Sequence, residues 1–141
     1  MSRISREEML MAIVRVVSCR STCQRRRVGA VIARAGRVLS IGYNGVPSGM
    51  PHCTELTCTP DKPCTDTVHA EANAIAFAAK SGISIQGATL YCSASPCLDC
   101  AKLIINSGIE TVIFDDYYRV RDGLHLLIKA QITVSKHCAP Q

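Results

Sequence analysis

The amino-acid sequence predicts an α/β fold built around one mixed five-stranded sheet. Two runs rich in β-branched residues, 28–33 and 38–43, flank a turn at Ala35-Gly36 and predict an antiparallel hairpin. Farther along the chain, helical and strand patterns alternate, which implies crossover connections between parallel neighbouring strands. The two observations together predict the element order α-β-β-α-β-α-β-α-β.

The first helix is predicted over residues 5–19. Ser5 and Glu8 have the spacing of a capping box, in which each side chain bonds the backbone N–H of the other residue. Apolar residues then recur at helical spacing, and we expect them to form the buried face. These residues are Met9, Ile13, Val16 and Val17.

Three more helices and three more strands are predicted beyond the hairpin. The helices span residues 69–80, 97–106 and 122–130. We expect Gly82 and Gly108 to end the first two of these helices, and Asp122 to cap the third. The strands span residues 88–93, 111–115 and 132–135.

Length and composition favour a single domain, residues 1–141, with a Cys-rich insertion at about residues 44–66. The hydrophobic content of 48% is enough for a core. No apolar run approaches the ~18 residues that a membrane span needs. The charged N-terminal residues lack the pattern of a signal peptide. We therefore expect a cytoplasmic protein without a membrane partner.

Charge and cysteine content narrow the ligands that we expect. The formal net charge of +5 suits an anionic ligand such as a nucleotide, and it suits a mildly basic surface equally well. No long basic run or Arg/aromatic interleaving is present, so we expect no nucleic-acid partner. Nine cysteines without an export signal favour a reducing compartment and metal binding. A metal could also hold the long irregular segment 44–66 in place.

Two short motifs begin the second and third predicted helices. They are His69-Ala70-Glu71 and Pro96-Cys97-Leu98-Asp99-Cys100. One imidazole and two thiolates with an open fourth position are typical of a catalytic zinc site. The carboxylate of Glu71 is then free to transfer protons. The alternative is a closed structural zinc site, which needs a fourth protein ligand and leaves Glu71 without a role.

An H-x-E motif followed by P-C-x-x-C is the signature of zinc-dependent nucleobase deaminases. The surrounding sequence, from about residue 22 to about residue 118, resembles the deoxycytidylate (dCMP) deaminase family. The matching segments are residues 27–32, 42–47, 51–53, 67–75 and 95–102. The resemblance implies a three-layer cytidine-deaminase-like fold with helices on both faces of the sheet. It also implies hydrolysis of dCMP to dUMP and ammonia, with Glu71 as proton carrier and a catalytic Zn²⁺ on His69, Cys97 and Cys100.

The same resemblance assigns residues to the substrate. Asn44 contacts the sugar hydroxyl and the base, although Asn-Gly is also a common turn dipeptide. The backbone N–H of Ala70 binds the pyrimidine carbonyl, and the backbone carbonyl of Ser95 holds the exocyclic amine. Tyr118 stacks on the base, with the adjacent Tyr117 as the alternative.

A substrate phosphate needs arginine or lysine, and bidentate arginine is favoured. Four arginines, Arg25, Arg26, Arg27 and Arg119, flank the predicted site. We expect Arg25, Arg26 and Arg119 to contact the monophosphate. The alternative for these residues is a solvated basic loop.

The family also implies a second, structural zinc, because similar deaminases take ligands for it from the loop before the first strand and from the long insertion. Its ligands here would be Cys23, Cys53, Cys58 and Cys64. Four cysteines make a closed tetrahedral site. His52 and Cys19 are competing ligands, and free thiols are the alternative.

Assembly and regulation are expected by analogy alone. Relatives form homohexamers, and several are activated by dCTP and inhibited by dTTP with Mg²⁺. Tyr43 and Gly45 lie in the stretch that resembles their effector site.

Other functions remain open from the sequence. Within enzymes, the alternatives are a tRNA adenosine deaminase and a free cytidine deaminase. From another class, the chain could be a non-catalytic zinc module or a nucleotide sensor, although the presence of Glu71 argues against both.

Overall fold

The computed structural model describes residues 2–53, 61 and 64–139. The elements in this part of the chain are α1 (Arg6–Ser18), β1 (Gly29–Arg34), β2 (Arg37–Tyr43), α2 (Ala70–Lys80), β3 (Thr89–Ala94), α3 (Leu98–Asn106), β4 (Thr111–Asp116), α4 (Asp122–Lys129) and β5 (Thr133–Lys136). The predicted order is confirmed, and the boundaries differ from the predicted ones by at most one residue. None of the described helices is long and apolar enough to cross a membrane.

The five strands form one sheet in the order β2-β1-β3-β4-β5. Strand β1 pairs antiparallel with β2 on one side and with β3 on the other, whereas β3, β4 and β5 are parallel. Ala35 and Gly36 have φ of 51° and 74°, as a two-residue type I′ turn requires. The predicted mixed sheet is therefore confirmed, with its antiparallel hairpin and its parallel strands.

Apolar side chains cover both faces of this sheet. Helices α2, α3 and α4 lie on one face, where Ala74, Ile104 and Leu127 belong to the same core as Leu90 and Phe114. Helix α1 lies on the opposite face. Its core consists of Leu10, Met11, Val14, Val17, Val31, Ala33 and Ile113. Helices on both faces make the three layers that the sequence predicts.

Helix α1 begins as predicted but buries a different face. Ser5 Oγ accepts a hydrogen bond from the Glu8 N–H at 3.0 Å, and the Glu8 carboxylate accepts one from the Ser5 N–H at 2.6 Å. The predicted buried face is wrong at Met9, which is 36% exposed, and at Val16, which is 72% exposed. The buried residues are Leu10, Met11, Val14 and Val17. Two apolar stripes overlap on this helix, and contact with β1 and β3 selects the one that is buried.

Helix α4 does not have the predicted cap. Arg121 occupies the N-cap position and forms no side-chain cap hydrogen bond, while Asp122 is the first residue of the helix. A carboxylate in the first turn still stabilises the positive end of the helix dipole. Asp122 therefore favours the start of α4 through charge rather than through a capping bond.

Two glycines allow close approach at the N-termini of α2 and α3. A Cβ on Gly42 would collide with the carbonyl oxygen of Ala70 and lie 2.5 Å from the Ala74 nitrogen. A Cβ on Gly123 would lie 2.7 Å from the carbonyl carbon of Cys97. Strand β2 therefore lies directly against the start of α2, and α4 lies directly against the start of α3.

We predict that Gly42→Ala lowers the free energy of unfolding by about 1–3 kcal/mol, because the added methyl group overpacks the contact between β2 and α2. Denaturant unfolding of the purified chain measures this change. Gly45→Ala is the matched control, since among the described residues a Cβ there would meet only a Tyr43 ring carbon, at 4.0 Å. Equal unfolding midpoints for the two variants would contradict the prediction.

Candidate active site

Four functional side chains meet where α2 and α3 begin. His69 is the N-cap residue of α2, and Cys97 is the N-cap residue of α3. Neither side chain forms a capping hydrogen bond with its own helix. Glu71 lies in the first turn of α2, and Cys100 follows Cys97 by three residues in α3. The two helix starts therefore present their side chains to each other.

The imidazole and the two thiols gather around one point. His69 Nδ1 lies 3.4 Å from Cys97 Sγ and 3.5 Å from Cys100 Sγ, and all three ligand atoms lie within 4.8 Å of one another. Zinc bonds of about 2.0 Å to nitrogen and about 2.3 Å to sulfur, at a tetrahedral angle, separate the two ligand atoms by about 3.5 Å. The donor set and its spacing therefore fit zinc. No other group of three such side chains forms in the described ranges.

The pKa values of the two thiols shift in opposite directions. Hydrogen bonds with Cys100 and His69 lower the pKa of the Cys97 thiol to about 3. The contact with Cys97, together with burial, raises the pKa of the Cys100 thiol. The same hydrogen bond with Cys97 raises the pKa of His69. The lowered pKa of Cys97 favours its thiolate, which is the form of cysteine that binds a metal cation.

Glu71 lies against this cluster. Its side chain is only 4% exposed, and its Oε2 accepts a hydrogen bond from the Cys100 thiol at 3.6 Å. Burial raises the pKa of this carboxyl group. A carboxyl whose pKa is closer to neutral can both accept and donate a proton at working pH.

A cavity of about 420 Å³ opens onto the cluster, within the usual size range of small-molecule sites. Its wall contains His69, Cys97 and Glu71. It also contains all seven residues that were predicted to bind substrate, namely Asn44, Ala70, Ser95, Tyr118, Arg25, Arg26 and Arg119. The fold therefore brings together residues from segments that are far apart in the sequence.

Five other residues of the wall have no predicted substrate contact, namely Cys23, Val28, Cys64, Thr67 and Ala94. Thr67 precedes His69 by two residues, and side chains two apart share one side of an extended segment. That alternation is a signal that could have identified Thr67. The Thr67 hydroxyl lies 2.8 Å from Cys64 Sγ, and this hydrogen bond lowers the pKa of Cys64.

The side chains of the adjacent residues Tyr117 and Tyr118 have different surroundings. Tyr118 lines the cavity, and the Arg119 guanidinium lies 5.8 Å from the centroid of its ring. Tyr117 instead packs edge-on against Phe114, with ring centroids 5.1 Å apart. The guanidinium of Arg121 lies 4.1 Å from the centroid of the Tyr117 ring. Of the two, only Tyr118 lines this cavity, so its stacking on a base stays a prediction.

Asn44 is buried at the cavity wall, where its side-chain amide bonds the backbone of the loop before β1. Its Oδ1 accepts a hydrogen bond from the Val28 N–H, and its Nδ2 donates one to the Arg26 carbonyl, both at 2.8 Å. The carbonyl oxygen of Asn44 accepts a hydrogen bond from the Ser21 hydroxyl at 2.8 Å. These bonds tie the end of β2 to the segment that carries Arg25 and Arg26.

The predicted second zinc site is only partly covered by the structure. Cys58 lies outside the described residues. Cys23 and Cys64 line the cavity, whereas Cys53 is buried. These three cysteines do not form a metal-binding group within the described part of the chain. The Cys19 thiol donates a hydrogen bond to the Arg15 carbonyl at 3.4 Å. The second site therefore stays a prediction.

The two residues predicted to bind an effector lie at a second cavity. This cavity has a volume of about 370 Å³ and lies between β2 and α2. Tyr43 and Gly45 line it together with Ser48, Asn73 and Phe77. Its wall shares none of its residues with the cavity at the metal-binding cluster.

Comparison with known proteins agrees with this geometry. Residues 4–115 match the family model of the cytidine and deoxycytidylate deaminase zinc-binding region. ComE operon protein 2 of Bacillus subtilis (strain 168) is 39% identical over 138 residues, which cover 96% of this chain and 73% of that protein. Deoxycytidylate deaminase of Enterobacteria phage T4 is 35% identical over 148 residues, which cover 77% of each chain.

A solved crystal structure also matches the fold of this chain. The crystal structure of dCMP deaminase from the cyanophage S-TIM5, in complex with dCMP and dUMP, has a TM-score of 0.88 and 36% sequence identity. The match covers 97% of this chain and 100% of the phage chain. The chain therefore belongs to the zinc-binding cytidine and deoxycytidylate deaminase family.

Proposed function

We propose that this protein is a zinc-dependent deaminase that hydrolyses dCMP to dUMP and ammonia. One observation carries the proposal: a cavity lies against His69, Cys97 and Glu71, and three arginines line the same wall. The metal-binding cluster suits the chemistry at the base, and the arginines suit a phosphate monoester. Relatives named deoxycytidylate deaminase support the same substrate.

Zinc held by His69, Cys97 and Cys100 would act as a Lewis acid that favours attack of water on carbon 4 of cytosine. Glu71 accepts one proton from that water and delivers it to ring nitrogen N3. The second water proton passes through Glu71 to the exocyclic amine. The bond from carbon 4 to that nitrogen then breaks, so ammonia leaves and a uracil carbonyl remains.

Backbone groups of the wall orient the base. Ala70 is the first residue of α2, where a backbone N–H has no acceptor within its own helix, so it is suited to the pyrimidine carbonyl. The Ser95 hydroxyl accepts a hydrogen bond from the Tyr118 N–H at 2.7 Å. That bond joins Ser95, whose carbonyl is proposed to hold the amine, to Tyr118, whose ring is proposed to stack on the base.

Ammonia release tests this function directly. Among dCMP, CMP, deoxycytidine, dCTP and adenosine, we expect the highest kcat/KM for dCMP, because one phosphate and a cytosine ring match the arginines and the metal-binding cluster. A chain that released ammonia fastest from adenosine or from deoxycytidine would instead be a tRNA-type or a free-nucleoside deaminase. A zinc-loaded chain that released none would be a binding module.

We predict that Glu71→Gln binds as much zinc as the wild type and loses nearly all deaminase activity. Glutamine keeps the shape of the side chain but cannot exchange a proton, a step that typically contributes about 10²–10⁴-fold to a rate. Elemental analysis and ammonia release measure the two properties on one sample. A zinc-loaded variant with wild-type activity would remove Glu71 from the mechanism.

We predict that replacing Arg25, Arg26 and Arg119 together by glutamine lowers kcat/KM for dCMP more than for deoxycytidine, because only dCMP carries the phosphate. Each charge-assisted hydrogen bond that is lost costs about 1.5–3 kcal/mol, so a loss of at least about tenfold is expected. Arg37→Gln is the control, since Arg37 lies at the start of β2 and does not line the cavity. An unchanged ratio between the two substrates would overturn the assignment.

The finer features of the family stay predictions for this chain. They are allosteric control by dCTP and by dTTP with Mg²⁺, assembly as a homohexamer, a role in pyrimidine nucleotide metabolism, and a cytoplasmic location. The position of Tyr43 and Gly45 at a separate cavity supports an effector site there. A structural zinc on Cys23, Cys53, Cys58 and Cys64 has no comparable support from the described residues.

A further inference from the structure

We propose that Asn44 and Ser21 are positioning residues that set the preference of this enzyme for a phosphorylated substrate. They hold residues 21–28, here called the basic segment, which bring Arg25 and Arg26 to the wall of the cavity. This role rests on the proposed function, because it concerns how two arginines reach the phosphate of dCMP.

Asn44 bonds the basic segment through every polar group that it has. Its backbone N–H donates to the Val28 carbonyl at 3.2 Å, and its Oδ1 accepts from the Val28 N–H at 2.8 Å. Its Nδ2 donates to the Arg26 carbonyl at 2.8 Å, and its carbonyl oxygen accepts from the Ser21 hydroxyl at 2.8 Å. One side chain and its own backbone thus hold both ends of the basic segment.

Ser21 completes the attachment at the start of the segment. Its side chain is 2% exposed, and its hydroxyl accepts a hydrogen bond from the Cys23 N–H at 3.2 Å as well as donating to Asn44. A buried polar group that loses its partner costs more free energy than an exposed one, since water does not replace the bond. The two residues therefore act as one buried hydrogen-bonded unit.

The basic segment depends on this unit for its path. It lies between the end of α1 and the start of β1, outside both elements. Asn44 directly follows β2, so its bonds attach the segment to the sheet. Small displacements of a positioning group reduce a rate strongly. Loss of these hydrogen bonds should therefore weaken the binding of the phosphate by the arginines more than it slows the reaction at the base.

The experiment compares kcat/KM for dCMP and for deoxycytidine in zinc-loaded Asn44→Ala and Ser21→Ala variants of the full chain. We expect the dCMP to deoxycytidine ratio to fall about tenfold in Asn44→Ala. The fall should be smaller in Ser21→Ala, because Asn44→Ala removes two side-chain hydrogen bonds to the basic segment, at Val28 and Arg26, whereas Ser21→Ala removes one bond to Asn44. Because both substrates are measured on the same sample, a loss of folded protein cancels in the ratio.

Ser40→Ala is the matched control. The Ser40 hydroxyl is also buried, and it donates to the Ala74 carbonyl at 2.7 Å, away from the basic segment. Its removal should leave the substrate ratio unchanged even if it lowers stability. A fall in the ratio as large as that of Ser21→Ala would mean that any buried serine has the same effect, and would overturn the proposal.

A coupling measurement separates positioning from direct contact with the sugar or base. In an Arg25→Gln, Arg26→Gln background, Asn44→Ala should change the ratio no further, because the groups it positions are already gone. Equal losses for both substrates in Asn44→Ala alone would overturn the positioning role. If Asn44→Ala does not fold, the same comparison of the two substrates in Ser21→Ala tests the positioning role. A wild-type enzyme that releases no ammonia from dCMP would instead refute the proposed function.

Discussion

The convergence of two helix N-termini on one point is the constraint on which the rest of the site depends. His69 caps α2 and Cys97 caps α3, so any tilt of either helix would separate the ligand atoms. The Ser40 hydroxyl donates to the Ala74 carbonyl at 2.7 Å, and Asn73 Nδ2 donates to the Tyr43 carbonyl at 2.8 Å. These bonds hold α2 against β2.

The parallel strands β3 and β4 position the part of the cavity wall that contains Ser95 and Tyr118. Ser95 follows the carboxyl end of β3, and Tyr118 follows the carboxyl end of β4. The Ser95 N–H donates to the Asp116 carbonyl at 2.8 Å, which continues the pairing of β3 with β4 beyond the strands. Carboxyl ends of neighbouring parallel strands are the usual ligand-binding edge of an α/β sheet. The same topology that forms the core therefore forms the wall of the site.

Some features are predictable from the sequence because they are local. The capping box at Ser5 and Glu8 involves residues three apart, and the hairpin turn at Ala35-Gly36 involves two adjacent ones. The H-x-E and C-x-x-C spacings are equally local. The choice of the buried face of α1 does not depend on local sequence alone, because Val16 satisfies the helical periodicity yet is 72% exposed. Which stripe is buried depends on the apolar surface that the sheet presents.

Asn44 illustrates the same limit within the site. Its motif predicts contact with a substrate, but the sequence does not reveal the bonds that it forms with Val28 and Arg26, sixteen and eighteen residues away.

The sequence by itself determined the element order, the mixed sheet and the residue types for zinc chemistry, because periodicity, turn chemistry and ligand spacing act over a few residues. Only the tertiary structure decided that His69 meets Cys97 at 3.4 Å and that Tyr118 rather than Tyr117 faces the cavity. Those outcomes depend on how helices and strands pack, and packing joins residues whose separation along the chain carries no pattern.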